Sequence, residues 1–249
     1  MLTKQRQEMI LKLLEERGSI TVNEIKDILG TSESTVRRDI TALDKEGKVD
    51  KVFGGAVAIE KRPNPHEYTV AQKKDLNREE KCKIARYAAT LIEPEDFIYL
   101  DAGTTTAHML DYIMESNVTF VTNAVAHAQK LSAQGLKVLL VGGELKGSTE
   151  AVIGNQAMHM ISNYHFTKGF FGTNGVTRKC GCTTPDMNEA MVKQTAMGQC
   201  AECYILCDSS KFNNVSSVTF APFHGTTFIT ECMITGYEDC NNIVVAKDV

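Results

Sequence analysis

The sequence predicts an α/β chain in two parts, a small helical domain over residues 1–60 and a mainly parallel α/β domain over residues 76–249, joined by a linker at 61–75. Three observations predict it. Helical apolar spacing fills most of the first fifty residues and then gives way to an alternating run around Gly54-Gly55. Pro63 and Pro65, two of the five prolines, fall in the polar stretch from Lys61 to Asp75. Beyond that stretch, short apolar runs alternate with segments of helical length. A length of 249 residues suits one larger domain plus a small one, and 43% hydrophobic with 23% charged residues gives a sizeable core and no signature of disorder.

Bulk charge argues against a chain that coats nucleic acid or anionic membrane, because the formal net charge is −4. The average hides a split at Arg62: 12 basic minus 11 acidic residues give +1 before it, and 15 minus 20 give −5 after it. Eight cysteines behind an N-terminus, MLTKQRQEMI, that lacks an apolar leader point to reduced thiols in the cytoplasm. No run approaches the roughly 18 apolar residues of a membrane span. Cys180, Cys182, Cys200 and Cys203 form a C-x-C followed by a C-x-x-C, whereas zinc ribbons pair two C-x-x-C knuckles. They read as core thiols, and neither metal nor cofactor is expected.

The elements of the first domain follow in order. Residues 3 to 17 carry Ile10, Leu13 and Leu14 at helical spacing, with Gly18 as a stop. Thr21-Val22-Asn23-Glu24 is a capping box, in which the Thr hydroxyl accepts from the Glu amide while the carboxylate reaches back. Val22, Ile25, Ile28 and Leu29 then form one stripe ending at Gly30, and a third helix starts at Thr31 or Ser32 and runs to about Glu46. Two helices joined by so short a turn make a helix-turn-helix. On the third helix Val36, Ile40 and Leu43 share the buried side, Ser34, Arg38, Thr41 and Lys45 lie opposite, and Thr35 and Arg37 flank them. Hydroxyls and arginines in that place suit the major groove, where Arg reads guanine or grips phosphate and Ser or Thr bonds phosphate oxygens. Val49 to Ile59 alternates about Gly54-Gly55 as a hairpin does, which completes a winged helix.

The stretch T-S-E-S-T-V-R-R-D-I-T-A-L-D-K-E-G-K-V from Thr31 to Val49, with F-G-G-A-V from Phe53 to Val57, resembles the DNA-binding domain of the DeoR family of bacterial transcriptional regulators. Two wing positions depart from that pattern, Lys51 where Arg is common and Phe53 where His is common. Double-stranded operator DNA is the expected partner, with Ser32, Ser34, Thr35, Arg37, Arg38, Thr41, Lys45 and Lys51 at the interface.

In the second domain a helix leads from about Asn77 towards Pro94. Strands are expected at Phe97 to Leu100, Thr119 to Thr122, Lys137 to Val141, Lys168 to Gly172, Tyr204 to Cys207, Thr227 to Thr230 and Ile243 to Val245. Ligands of such sheets bind beyond the carboxyl ends of the strands. The loop Asp101-Ala102-Gly103-Thr104-Thr105-Thr106 follows a strand and opens a helix. Its glycine, three hydroxyls and free amides suit a phosphate, and Asp101 suits a sugar hydroxyl. Other strand ends supply Asn123, Gly142 and Gly143, Lys168, Asn174, and Lys211. Together these groups fit a small polyhydroxylated phosphate. A G-x-G-x-x-G after a strand and a P-loop are both absent, which argues against dinucleotides and nucleoside triphosphates.

The same loops resemble the sensor domain of the DeoR family, which shares the fold of ribose-5-phosphate isomerase. That resemblance implies that Gly103, Thr104, Thr105 and Lys211 or Lys168 surround a phosphate. It further implies that Asp101, Asn123, Asn174, Glu189 and Lys193 face the sugar, the last two being an i, i+4 pair. It implies, too, a homodimer or tetramer acting as a sequence-specific repressor of a sugar-utilisation operon, released by the ligand. Gly169 to Gly175 and Thr183 to Asp186 look like the branch that controls fructose or lactose and tagatose operons, so fructose 1-phosphate or tagatose 6-phosphate is the expected effector. The alternative is an active sugar-phosphate isomerase with a DNA-binding appendage, using Asp101, Glu189 and Lys193. Asn174 stands where many members carry Asp, and an amide exchanges no proton at neutral pH.

Overall fold

The helical spacing of the first sixty residues builds α1 (Thr3–Arg17), α2 (Val22–Leu29) and α3 (Glu33–Lys45), with β1 (Ser19–Thr21) ahead of α2 and β2 (Val49–Val52) and β3 (Gly55–Ala58) after α3. The computed structural model describes residues 2–17, 19–58, 68–234 and 236–247, which fall into two compact units. The expected stop at Gly18 and the hairpin end at Ile59 lie outside the described residues.

In the first unit the capping box forms as the sequence predicts. The Glu24 amide donates to Thr21 Oγ1 at 3.2 Å, and the Thr21 amide donates to the Glu24 carboxylate at 2.8 Å. Ser32 caps α3 by accepting from the Thr35 amide at 3.3 Å. Ile10, Leu14, Ile20, Val22, Ile25, Val36, Ile40, Leu43 and Val49 close over one another as a single core, each removing roughly 1.5–3 kcal/mol worth of apolar surface from water. The strands order as β1-β3-β2, all antiparallel. Alternation did not reveal β1, because three residues are too few to show a period. Asp39 is buried and accepts from Arg6 Nη2 at 3.1 Å, so the carboxylate after Arg37 and Arg38 ties α1 to α3.

The second unit opens with α4 (Val70–Lys74) and α5 (Arg78–Ala89). Residues 70–74 were expected to be linker; instead Thr69 and Gln72 form a capping box that starts a short helix there. Residues 61–67 of the expected linker lie outside the described residues. There follow β4 (Phe97–Leu100), α6 (Thr104–Met109), β5 (Thr119–Thr122), α7 (Val125–Ala133) and β6 (Lys137–Leu140). Next come β7 (Glu144–Lys146), β8 (Ala151–Ile153), α8 (Asn155–Ile161), β9 (Phe166–Gly172), β10 (Gly175–Thr177), β11 (Gly181–Thr184) and α9 (Met187–Gly198). The chain continues through β12 (Cys200–Leu206), β13 (Val218–Ala221), β14 (Thr227–Thr230) and β15 (Ile243–Val245).

Seven strands make one sheet in the order β15-β14-β12-β9-β4-β5-β6, every pair parallel. All seven were expected from the sequence, with β9 and β12 beginning earlier than the apolar runs alone indicate. From β4 the chain winds outward through β5 and β6, then returns to lay β9 on the other side of β4. The order therefore reverses between β4 and β9, and the crevice beyond their carboxyl ends is the place where open α/β sheets bind ligands. Two smaller antiparallel sheets, β7-β8 and β10-β11-β13, were not foreseen. The main core joins Ile84, Ala85 and Ala88 of α5 to Ile98, Leu100, Phe120, Phe170, Leu206 and Ile229 of the sheet. Among the described residues no helix is long and apolar enough to cross a membrane.

Candidate functional sites

The solvent face of α3 carries the polar residues that the sequence places there. Ser32, Ser34, Arg37, Arg38 and Lys45 are exposed, and Thr35 and Thr41 are half-buried at its flanks. They are not equally free. Arg37 lies against Glu33, one turn earlier, with Nε donating at 2.9 Å and Nη2 at 2.7 Å. The Thr41 hydroxyl donates to the Arg37 carbonyl at 2.7 Å and accepts from Lys51 Nζ at 2.9 Å. The Lys51 amide donates to Asp44 at 2.9 Å, so the wing strand β2 is fastened alongside α3. Arg38 makes no ion pair among the described residues, which leaves its guanidinium open to a base edge or a phosphate.

In the second unit a cleft of about 740 Å³, its open mouth included, lies at the reversal between β4 and β9. Gly103, Thr104 and Thr105 line it from the β4 loop, Asn174 from the β9 loop, Glu189 and Lys193 from α9, and Lys211 from the turn after β12. These seven predicted positions converge. The three threonines of the loop divide by what their hydroxyls do. Thr106 Oγ1 is buried and bonds the Asp101 and Gly103 carbonyls at 2.8 and 2.9 Å. Thr104 and Thr105 turn to the cleft with no hydrogen bond among the described residues. Because α6 has only six residues, its macrodipole adds little, and amides and hydroxyls dominate the loop's attraction for an anion.

The remaining predicted positions support the cleft from behind or lie elsewhere. Asp101 does not line it: this buried carboxylate accepts from the Gly172 amide at 3.0 Å and from Lys193 Nζ. Burial raises the Asp101 pKa, and the Lys193 ammonium opposes the rise. Asn123 is also buried, with its oxygen accepting from the Ala102 amide at 2.9 Å and its amide donating to the Val152 carbonyl at 3.2 Å. Both ends of that side chain hold backbone, and the residue is buried outside the cleft lining. Gly142 and Gly143 stand away from the cleft; a Cβ on Gly143 would lie 2.7 Å from the Ile153 carbonyl oxygen, so its role is the close packing of β7 on β8. Lys168 is a correction of a different kind. It sits near the amino end of β9, opposite Ile98, and donates to Glu93 at 2.6 Å and Asp96 at 2.9 Å. That is the opposite edge of the sheet from the cleft. Glu189 and Lys193 share a helix face but not each other: Glu189 accepts from Lys146 at 3.3 Å and from the Thr149 hydroxyl, while Lys193 holds Asp101.

The structure adds residues that sequence reasoning missed. Val70, Lys73 and Leu76, in and after α4, line the cleft together with Lys81 and Thr149, and Thr173 joins them from the expected β9 loop. Lys81 is buried on the apolar side of α5, where burial and the neighbouring Lys211 lower its pKa. Lys81, whose Nζ donates to the Lys73 carbonyl, and Lys211 are thus neighbouring cations that line the cleft. Thr149 arrives on the β7-β8 hairpin, whose tip is fixed to α4 by the Val70 amide donating to the Ser148 carbonyl at 3.1 Å. His127 of α7 is buried, bonds the Gly103 backbone and is pushed down to about 4 by its burial, which keeps it neutral behind the loop. The thiols of Cys200 and Cys203 donate to the Ala196 and Met197 carbonyls at the end of α9.

Comparison with known proteins matches both units. Residues 76–231 match the DeoR C terminal sensor domain and residues 6–62 the DeoR-like helix-turn-helix domain. The chain is 38% identical to an HTH-type transcriptional regulator, FruR, of Bacillus subtilis, over 99% of this chain and 100% of that one. It is 34% identical to the lactose phosphotransferase system repressor of Streptococcus mutans, over 92% of each chain. A putative aga operon transcriptional repressor of Escherichia coli O157:H7 is 32% identical over 86% of this chain and 80% of that one. Among solved structures, ribose 5-phosphate isomerase A of Methanocaldococcus jannaschii aligns with 55% of each chain at a TM-score of 0.41 and 15% identity. With both domains matched in order along nearly its whole length, the chain belongs to the DeoR family of helix-turn-helix transcriptional regulators.

Proposed function

We propose that the chain is a cytoplasmic repressor of a sugar-utilisation operon whose hold on operator DNA is released by a phosphorylated sugar bound in the cleft. The observation that carries this reading is the pair of chemistries that line the cleft. The free hydroxyls of Thr104 and Thr105 and the cations Lys81 and Lys211 suit a phosphate. Towards α9, Thr149, Asn174, Glu189 and Lys193 offer donors and acceptors suited to sugar hydroxyls. A single phosphate fits such a site better than two, because Glu189 would repel a second. Fructose 1-phosphate and tagatose 6-phosphate are the effectors we favour; the names of the Bacillus and Streptococcus relatives, FruR and lactose phosphotransferase system repressor, are in keeping with that choice.

Release is a matter of linkage. An effector that binds the DNA-incompetent arrangement more tightly weakens operator affinity by the same factor, typically about 5- to 150-fold. Val70, Lys73 and Leu76 are the cleft residues nearest in sequence to the DNA-binding unit, which makes α4 the natural element for an occupant to move. A dimer or tetramer would present two copies of α3 to half-sites spaced by whole helical turns. Isomerase chemistry is disfavoured by the same geometry, since Asp101 is held by Lys193, Glu189 is held by Lys146 and Thr149, and Asn174 moves no proton.

A thermal-shift panel of hexose and pentose phosphates tests the reading. A ligand at a hundred times its dissociation constant stabilises by about 2.7 kcal/mol. The expected result is a shift with a sugar monophosphate and no shift with the unphosphorylated sugar; turnover abolished by Glu189→Gln would replace the sensor reading with the isomerase one.

A further inference from the structure

α4 is a helix of five residues, and none of its side chains is buried. A single turn without a buried apolar face is not stable by itself, so polar ties must fix it to the rest of its unit. At its start Thr69 and Gln72 form the capping box, and the Val70 amide donates to the Ser148 carbonyl at 3.1 Å on the β7-β8 hairpin. In its last turn the Lys73 carbonyl accepts from Lys81 Nζ. The tie to Ser148 joins two neutral backbone groups. The tie to Lys81 joins a backbone carbonyl to a charge, and that charge lines the cleft.

Lys81 is 3% exposed, on the stripe of α5 that carries Ile84, Ala85 and Ala88 into the core. A buried ammonium has three donors and is best met by a negative charge. Among the described residues Lys81 makes one hydrogen bond, to the neutral Lys73 carbonyl, and no ion pair. Lys211 repels it, while Asp75 and Asp208 attract it from beyond ion-pair distance. Two of its donors are thus open to an anion in the cleft. Given the reading of the cleft as a sugar-phosphate site, on which this rests, we propose that Lys81 is the switch that passes the cleft's occupancy to α4. Without effector the ammonium holds the last turn of α4; a bound phosphate draws the ammonium to itself, and the Lys73 carbonyl is let go. The phosphate wins because it carries a full negative charge where the carbonyl offers a partial one, and because it offsets the repulsion between Lys81 and Lys211. The Ser148 tie gives an anion nothing to attract, so α4 is freed at its carboxyl end only.

The test combines hydrogen–deuterium exchange of the full-length wild type with operator binding of full-length Lys81→Met, the operator being a duplex selected by the wild type from a random-sequence library. Exchange is followed with inorganic phosphate, fructose 1-phosphate and tagatose 6-phosphate. With one of the sugar phosphates, exchange is expected to slow at Gly103 to Thr105. At the same time it speeds up roughly tenfold at the Lys73 amide, which bonds the Thr69 carbonyl within α4, tenfold being the lower end of what a hydrogen bond from a charged donor stabilises. Lys81→Met sets an apolar chain on an apolar stripe, so its melting temperature does not fall. It behaves as though effector were bound: operator affinity is weakened about 5- to 150-fold without any sugar, and added sugar phosphate takes little more. A residue that only gripped phosphate would give wild-type operator affinity, with release moved to higher sugar concentrations, and that result would overturn the switch. Slower or unchanged exchange at Lys73 while Gly103 to Thr105 is protected would overturn it too. The exchange measurement needs no variant, so it decides even if Lys81→Met melts early. No protection of Gly103 to Thr105 by any of the three anions would remove the sugar-phosphate reading of the cleft, and the switch with it.

Discussion

The two units carry their cations in opposite settings. On α3, Arg38 and Lys45 stand in water, whereas in the cleft Lys193 is buried against Asp101 and Lys81 is buried beside Lys211. A solvated cation costs the fold nothing to keep, and its attraction for phosphate is shared with salt. A buried cation has already lost much of its hydration and needs a fixed partner, yet it meets a ligand without having to shed water. The first arrangement suits a long polyanion that is scanned and released; the second suits one small anion that is selected by shape.

The difference is broken most sharply at Asp101. Asp101→Ala leaves the Lys193 ammonium buried without its carboxylate, and removing one partner of such a pair destabilises by roughly 3–5 kcal/mol. Thermal unfolding would show the second unit melting far below the wild type; an unchanged midpoint would mean that the pair is dispensable.

A smaller effect comes from acid. His127 takes up a proton near pH 6.5 when unfolded but only at about 4 when folded, so between those values the unfolded chain binds more protons. Stability therefore falls as pH falls through that window, by about 2 kcal/mol between pH 7 and pH 5. His127→Gln should flatten that part of the stability–pH curve, and a curve identical to the wild type would place the acid sensitivity elsewhere.

The smallest effect on stability belongs to the exposed set. Arg38→Ala should change the unfolding free energy by no more than about 0.5 kcal/mol while weakening specific DNA binding by about 1–3 kcal/mol. A variant that melted early would show Arg38 to be structural, and the contrast between the units would lose its basis.

The first unit was the more legible, and for a physical reason. Its determinants are local: the Thr21 capping box, the Ser32 cap and the stripe Val36, Ile40, Leu43 all act within one or two turns. The parallel strands were legible too, because buried strands read as short apolar runs. The cleft was legible as a set of loops but not as a set of side chains. Nothing in the run Thr104-Thr105-Thr106 tells which hydroxyl turns inward to the Asp101 and Gly103 carbonyls; that depends on the fold of the loop itself. Lys168 opens the strand expected at Lys168 to Gly172, so the direction of the strand alone sets it at the amino end of β9, away from the loops beyond the carboxyl ends with which it was grouped. Lys81 did carry a signal. It lies on the same helical stripe as Ile84, Ala85 and Ala88, and a lysine on a buried stripe needs either a partner or a ligand. Thr149 carried none, since the β7-β8 hairpin brings it in from a polar turn.

Control of DNA binding by occupancy of the cleft can be measured by operator binding of the full-length wild type and Thr105→Ala, each titrated with fructose 1-phosphate and with tagatose 6-phosphate. One of these sugars is expected to weaken wild-type binding about 5- to 150-fold, while Thr105→Ala binds DNA normally but resists release. Release of Thr105→Ala at wild-type effector concentrations would contradict control by the cleft.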